Sequence, residues 1–214
     1  MEYLVESTCQ ISGLANIYEK VFGDKRHGTF VEVGAYDGRT YSNTYGLAEI
    51  GWHGLYIEPV PAYYDRCIGN HKNHPNVTVM LALISDEKRT MRLFVREDMC
   101  TVDPGFASLL GINEHNTGMI EMTSCTLDEV LPLYRIPLGF DLLVVDTEGH
   151  DLQVLSGLSI NFYLPRMVIV ETHDKSPNKV LSANSWKIDL YFIMHGYHKH
   201  YSDEINTIYL REQV

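Results

Sequence analysis

Two short segments of the sequence combine carboxylate and imidazole side chains, and they read Asp146-Thr-Glu148-Gly-His150 and Glu171-Thr-His173-Asp174. Each lies at the end of a short apolar run, over 140–146 and 167–171, that has the composition of a buried parallel strand. Neighbouring parallel strands end at the same edge of a sheet, so we expect both clusters there. Buried carboxylates and histidines cost free energy unless they are paired or bind a ligand, so the two clusters predict a functional site.

Two kinds of chemistry suit these clusters, and the candidate catalytic residues are Asp146, Glu148, His150, Glu171 and His173. A general base can remove the proton of an acceptor hydroxyl group, and His150 and His173 are the best candidates because an unperturbed imidazole titrates at about pH 6.5. Alternatively, a divalent cation such as Mg²⁺ binds here and lowers the pKa of the hydroxyl group, with Asp146 and Glu171 as its best ligands. A hydrogen-bonded network that caps the helix after Gly149 is the structural alternative.

Two glycines and two acids accompany the end of the first strand candidate, 29–34, in the order Glu32-Val-Gly34-Ala-Tyr-Asp37-Gly38. Glycines let the backbone turn sharply and approach a ligand closely, but the spacing G-x-x-x-G differs from the G-x-G-x-x-G of dinucleotide binders. Carboxylates at Glu32 and Asp37 would repel a diphosphate and suit a cation, such as the sulfonium or ammonium group of S-adenosylmethionine (SAM). An ordinary turn with solvated acids is the alternative.

An acid also ends the second strand candidate, 54–58. Glu58 comes 26 residues after Glu32 and directly before Pro59. An acid at this point of a βαβ unit can accept hydrogen bonds from both hydroxyl groups of a ribose. The alternative is a solvent-exposed glutamate before a turn, but the glycine turn upstream strengthens the nucleotide-binding interpretation.

Alternating helix and strand patterns place these segments in a single α/β domain, 1–214, with an N-terminal helical segment over 1–27. Apolar spacing predicts an amphipathic helix over 10–23, and Thr126 with Glu129 forms a capping-box pattern. The remaining predicted elements are a helical crossover within 40–50, strands over 77–85, 91–96 and 119–124, a helix over 179–195, and a hairpin of 197–201 and 207–211. The order predicts a doubly wound, mostly parallel sheet with mixed edges and helices on both faces.

The composition favours a globular protein that binds neither nucleic acid nor membranes. Acidic residues outnumber basic ones, 28 against 17, and the net charge of −11 repels a phosphate backbone or an anionic membrane. No apolar run approaches the roughly 18 residues that span a bilayer, and the N-terminus lacks the order of a signal peptide. The four cysteines are scattered, so we expect reduced thiols and a cytoplasmic location. We interpret His198 and His200 as an exposed strand face rather than as metal ligands.

The longer motifs resemble the FkbM family of SAM-dependent methyltransferases over nearly the whole chain, from Gly28 to Leu210. The matching stretches are Phe30-Val-Glu-Val-Gly-Ala-Tyr-Asp-Gly38, Ser42-Asn-Thr44, Gly51-Trp-His-Gly-Leu-Tyr-Ile-Glu-Pro59, Ala82-Leu-Ile-Ser85, Thr126-Leu-Asp-Glu129, 141–155 and 168–173. The resemblance implies a seven-stranded class I methyltransferase fold and O-methylation, often of sugar hydroxyls in glycans or glycosylated natural products. Two departures are Tyr36, where the family has an asparagine, and Val144-Val145-Asp146, which lacks a lysine usual before that aspartate.

The resemblance also implies a set of SAM-binding residues: Glu32, Gly34, Ala35, Asp37, Gly38, Ser42, Asn43, Thr44, Glu58, Pro59, Ser85, Asp86, Ser108 and Asp146. We expect the glycine turn to hold the methionine end of SAM and Glu58 to bind the ribose. Ser85 and Asp86 are expected to border the adenine, and Ser108 lies in a predicted loop over 98–118 that shapes the acceptor pocket.

Other functions fit the sequence less well. A catalytically silent binding module with this fold would not need both halves of the cofactor site. A nicotinamide oxidoreductase is disfavoured by the missing G-x-G-x-x-G motif. A nucleic-acid methyltransferase is disfavoured by the net charge.

Overall fold

A computed structural model of the protein describes residues 3–97, 99–109, 111, 118–173, 175 and 184–212. The strands are β1 (Thr29–Val33), β2 (His53–Glu58), β3 (Val77–Leu81), β4 (Thr90–Arg96), β5 (Met99–Thr101), β6 (Gly118–Thr123), β7 (Leu142–Val145), β8 (Met167–Glu171), β9 (Tyr197–Ser202) and β10 (Asn206–Arg211). The helices are α1 (Leu14–Phe22), α2 (Tyr45–Glu49), α3 (Pro61–His71), α4 (Pro104–Leu109), α5 (Leu127–Leu133), α6 (Asp151–Ser156), α7 (Ile160–Tyr163) and α8 (Ser185–Met194).

Seven strands form the main sheet in the order β3-β2-β1-β7-β8-β10-β9. The strands β3, β2, β1, β7 and β8 are parallel, whereas β10 pairs antiparallel with both β8 and β9. The strand order reverses between β1 and β7, and ligands of such sheets bind outside the carboxyl ends of the strands at this switch point. The predicted class I methyltransferase fold, with its mostly parallel sheet and C-terminal hairpin, is confirmed.

Apolar side chains cover both faces of the main sheet because successive strand residues point to opposite faces. Val31 and Val33 of β1 pack with residues of α5 to α8 on one face, whereas Phe30 packs with residues of α1 to α3 on the other. All four residues of β7 are buried, as expected for a central parallel strand. The strands of the main sheet are therefore held between two layers of helices, which also fixes the start of each loop that follows a strand.

A second sheet, in the order β5-β4-β6, lies beside the main one and forms a wall of the cavity described below. Its strands β4 and β6 match the predictions over 91–96 and 119–124. Val60, Tyr63 and Leu93 pack together and join this sheet to α3. The Thr101 hydroxyl also donates to the Glu148 carbonyl, at 2.7 Å, which fixes β5 against the loop after β7.

Several boundaries differ from the sequence-based predictions. The first helix begins at Leu14 because Gly13 takes a left-handed conformation before it. The third strand ends at Leu81 rather than residue 85, because Ile84 leaves the sheet to bridge Cys125. The predicted loop over 98–118 contains β5 and α4 in its described part, and α3 was not predicted. The first residues of the helix predicted over 179–195, 179–183, lie outside the described residues.

The capping box and the exposed histidines of the last hairpin, both predicted from the sequence, are confirmed by the structure. Thr126 and Glu129 form both hydrogen bonds of the capping box at the start of α5. His198 and His200 are exposed on β9. All four cysteines, which belong to the described part of the chain, are free thiols. No helix of the described residues has the length and apolar character required to cross a membrane.

Candidate active site

A cavity of about 290 Å³ opens at the carboxyl ends of β1, β2, β7 and β8. Its polar wall includes five acids and a histidine: Glu32, Glu58, Asp146, Glu148, Glu171 and His150. The lining contains no lysine or arginine from the part of the chain that the structure describes. The cavity is therefore strongly acidic, which favours cationic ligands.

The glycine turn after β1 packs directly against the end of β7. Gly34 has a φ of +83°, and a Cβ atom at this position would lie 1.7 Å from the carbonyl oxygen of Asp146. The backbone N–H groups of Gly34 and Ala35 donate to the carbonyl of Ile57, at 3.0 and 3.2 Å. Only glycine fits here, and the turn is therefore fixed by both neighbouring strands.

Glu32, on β1, lies in the wall of the cavity and within a network of hydroxyl groups. The Ser42 hydroxyl donates to Glu32 Oε2 at 3.2 Å, and the Thr44 hydroxyl donates to the same oxygen. The Tyr56 hydroxyl lies 2.8 Å from Thr44 Oγ1. Burial raises the pKa of Glu32 to about 7, so its carboxyl group is poised to lose a proton when a cation binds.

Glu58 is held by two backbone N–H groups at the end of β2. Tyr36 N–H donates to Oε2 and Val60 N–H donates to Oε1, each at 2.8 Å. Burial raises the pKa of Glu58 to about 7. A carboxylate can accept about four hydrogen bonds, so lone pairs remain on both oxygens for a ligand's hydroxyl groups. The alternative of a solvent-exposed glutamate is wrong, because Glu58 is 1% exposed.

Three acids meet where β7 and β8 end, beside the glycine turn. Asp146, Glu148 and Glu171 each place a carboxylate oxygen within 4.8 Å of the others. Burial raises the pKa of Asp146 to about 7, and burial together with the Asp146 charge raises the pKa of Glu171. Glu171 Oε1 lies 3.1 Å from His173 Nε2, whereas Glu171 Oε2 is buried and makes no hydrogen bond to any residue that the structure describes.

His150 lines the cavity and is fixed from behind by Ser85. The Ser85 hydroxyl lies 3.0 Å from His150 Nε2 and donates to Asp86 Oδ1 at 2.8 Å. Arg89 in turn forms an ion pair with Asp86, at 3.0 Å. Because the Ser85 proton is given to Asp86, the ring donates from Nε2, which leaves Nδ1 as the basic nitrogen. Burial lowers the pKa of His150, so the ring is neutral at physiological pH.

The structure brings most of the predicted site residues to the cavity wall. Those that line it are Glu32, Gly34, Ala35, Ser42, Asn43, Glu58, Pro59, Asp146, Glu148, His150 and Glu171. Direct contact of each with SAM stays a prediction.

The remaining predicted residues lie outside the lining. Asp37 accepts from the N–H groups of Arg39 and Thr40 and thus stabilises its own turn. Ser108 is exposed on α4. Gly38 packs on Cys67 and His71, and the Thr44 hydroxyl donates to Glu32. Ser85 contacts His150 and donates to Asp86. His173 pairs with Glu171.

Several lining residues were not predicted from the sequence: Gln10, Val33, Tyr36, Thr40, Tyr41, Tyr63, Ala82, Leu83, Ile84, Leu93, Met99, Cys100, Thr101, Val102 and Thr147. Residues 82–84 follow β3, so the rule about strand ends could have found them. Residues 99–102 belong to the loop over 98–118 that was expected to shape the acceptor pocket, although none of them was named individually. Gln10 and Leu93 have no comparable signal, because long-range packing alone brings them to the cavity.

The family model of the methyltransferase FkbM domain matches residues 32–201. The chain belongs to the FkbM methyltransferase family. This match confirms the resemblance seen in the motifs and identifies the chain as a SAM-dependent methyltransferase. An acidic cavity at the switch point is consistent with a cofactor that carries positive charge. No curated protein sequence matches the chain significantly.

Solved structures of methyltransferases share the fold of this FkbM family member. Precorrin-6y C5,15-methyltransferase from Geobacter metallireducens is 11% identical, with a TM-score of 0.51, and the match covers 98% of this chain and 93% of that chain. Fibrillarin from Aeropyrum pernix, in complex with natively bound SAM, is 10% identical, with a TM-score of 0.50 and coverage of 87% and 67%. At these identities the likeness shows the fold alone.

Proposed function

We propose that the protein transfers the methyl group of SAM to a hydroxyl group of a sugar, in a glycan or a glycosylated metabolite. The observation that carries this proposal is the single cavity that joins the glycine turn and Glu58 to the acids and His150. The glycine turn and Glu58 offer groups for the cofactor, whereas His150 and the acids beside it offer a base and hydrogen-bond acceptors for a polyhydroxylated acceptor.

The charge of the cavity matches the cofactor. SAM carries a positive sulfonium and a positive ammonium group, against one negative carboxylate. Glu32 is buried and Asp146 is half-buried, and both lie next to Gly34, where they favour these cationic groups. Glu58 is held so that free lone pairs face the cavity, which suits the two ribose hydroxyls.

The proposed reaction is an in-line displacement at the methyl carbon. When bound, SAM supplies a methyl group activated by the sulfonium, with a neutral thioether as the leaving group. The acceptor oxygen gains the bond to the methyl carbon, and the sulfur keeps the electron pair of the bond that breaks. His150 takes the hydroxyl proton, since Ser85 fixes its Nε2 and leaves the other nitrogen available. His173 is the weaker candidate, because it pairs with Glu171 outside the cavity lining.

The cluster of Asp146, Glu148 and Glu171 also fits a divalent cation, and we include Mg²⁺ among the proposed cofactors. Oxygen atoms of Asp146, Glu148 and Glu171 are close enough to share one ion, and hard cations prefer carboxylate oxygens. Glu171 Oε2 is buried and has no hydrogen-bond partner among the residues that the structure describes, which is an independent observation in favour of an ion here. When bound, such an ion would lower the pKa of the acceptor hydroxyl.

Calorimetric titration with SAM and S-adenosylhomocysteine, with and without Mg²⁺, tests the cofactor part of the proposal. We expect saturable binding that Glu58→Ala weakens about tenfold or more, the loss of hydrogen bonds to a charged group. Glu19→Ala, which removes an exposed glutamate of α1, is the matched control and should bind as the wild type does. No binding of either ligand in any condition would refute the enzyme assignment and favour a catalytically silent module.

Transfer of labelled methyl groups from SAM to a panel of sugars and glycans, with RNA as the comparison, tests the acceptor class. His150→Ala should lower turnover about 100-fold while SAM binding stays intact. Transfer to RNA and to no sugar would contradict the proposed acceptor, and full turnover in His150→Ala would remove the base assignment.

A further inference from the structure

The α-carboxylate of SAM has no positively charged partner among the described residues that line the acidic cavity. A carboxylate next to Glu32 is repelled, and the described lining offers no lysine or arginine to offset the repulsion. Neutral hydrogen-bond donors with a fixed orientation are then the means of holding it. Two side-chain amides line the same cavity as Glu32 and can supply such donors, those of Asn43 and Gln10.

The amide of Asn43 is oriented by Cys9. The Cys9 thiol donates to Asn43 Oδ1, with the sulfur and oxygen 3.3 Å apart. Burial raises the pKa of Cys9 to about 11, so the thiol keeps the proton that it donates. The Tyr18 hydroxyl holds the backbone carbonyl of Asn43 at 2.7 Å. With Oδ1 occupied, the NH₂ group of this buried side chain remains for the cavity.

Gln10 is an exposed residue at the rim of the cavity, and Asn206 contacts its amide. Asn206 Nδ2 donates to Gln10 Oε1 over a long distance of 3.4 Å, which leaves the NH₂ group of Gln10 available to donate. Neighbouring residues fix the N-terminal segment against the loop that carries Asn43. The Tyr41 N–H donates to the Thr8 hydroxyl at 2.9 Å, next to the contact of Cys9 with Asn43.

We propose that Gln10 and Asn43 form an amide clamp that binds the α-carboxylate of SAM through their NH₂ groups. Gln10 lies before the residues that match the family model, 32–201. The clamp therefore takes one of its two amides from the N-terminal segment of this chain. Neutral donors suit this position because a lysine or arginine would pair with Glu32 and cancel its attraction for the ammonium group. The inference rests on SAM as the cofactor.

The test compares SAM with decarboxylated SAM, which keeps the ammonium and sulfonium groups and lacks only the carboxylate. Gln10→Ala should weaken SAM about tenfold, the loss of one hydrogen bond to a charged group, and should leave the affinity for decarboxylated SAM within about twofold. Gln10→Glu, which places a negative charge beside the carboxylate, should weaken SAM further. Cys9→Ser keeps a donor for Asn43 and should retain SAM binding, whereas Cys9→Ala should weaken it.

Ser12→Ala is the control, because Ser12 is exposed on the same segment and lies outside the cavity lining. Equal losses for the two ligands in Gln10→Ala would overturn the clamp and assign Gln10 a role in folding the segment. Unchanged SAM binding in Gln10→Ala would overturn it as well. Failure of the wild type to bind either ligand would instead refute the proposed function on which the clamp depends.

Discussion

Glu32 makes the stability of the cofactor-free protein fall as the pH rises. Its pKa is raised from 4.5 to about 7 because the carboxyl group is buried. Between these two values the folded state binds more protons than the unfolded state does. The stabilisation is therefore complete below about pH 4.5 and is lost as the pH rises through about 7.

The size of this effect follows from the two pKa values. Between pH 6 and pH 8, titration of Glu32 is expected to lower the free energy of unfolding by roughly 1 kcal/mol. Glu58 has a pKa of about 7 as well and adds a similar amount. Asp146 titrates together with Asp151 and Glu171, and because the pKa values of all three carboxyls are raised, this cluster adds to the fall. His71 opposes these carboxyls by roughly 1 kcal/mol, because burial lowers its pKa to about 4. A net fall of roughly 2–3 kcal/mol, or about 5–10 °C in Tm, is expected.

Urea unfolding at pH 6 and pH 8, without SAM or divalent cations, measures this fall. Glu32→Gln keeps the shape of the side chain and removes one titrating group, so its loss of stability between the two pH values should be roughly 1 kcal/mol smaller than that of the wild type. Glu19→Gln, at an exposed glutamate, should retain the wild-type pH dependence. The reasoning is refuted if Glu32→Gln and the wild type lose the same stability between pH 6 and pH 8.

Because the cavity carboxyls have raised pKa values, binding of the cationic groups of SAM should release protons, and the affinity for SAM should increase from pH 6 to pH 8. Calorimetry in two buffers of different ionisation enthalpy measures this proton release. Proton uptake on SAM binding would contradict the expectation. Gly34→Ala should lose about 2 kcal/mol or more of stability beyond Gly51→Ala, since both positions have positive φ but only Gly34 would clash with Asp146; equal losses in urea unfolding would exclude the clash. Thr126→Ala should cost about 1 kcal/mol through loss of the capping box, and an unchanged midpoint would show that the cap contributes nothing.

The sequence was sufficient to predict the central sheet and the acids at its edge. Glu58, Asp146 and Glu171 end short apolar strands, and the parallel arrangement of such strands follows from their burial on both faces. Because the carboxyl ends of neighbouring parallel strands coincide, their convergence on one cavity follows from local patterns alone.

Positions that depend on long-range packing were not accessible in this way. Ser85 supports His150 because the chain leaves the sheet after Leu81, and the apolar pattern continues past that point. Gln10 reaches the cavity through a contact with Asn206, far away in the sequence. The helix α3 buries only three side chains, so its apolar stripe is too weak to reveal it.

The place of β10 between β8 and β9 has a consequence for folding. Until 206–211 have been synthesised, β8 is the edge of a sheet, and its five residues are apolar apart from Glu171. An exposed apolar edge strand invites pairing with other chains. We therefore expect nascent or C-terminally shortened chains to aggregate through β8, and we expect the Gln10 contact with Asn206 to form only after β10 has paired with β8.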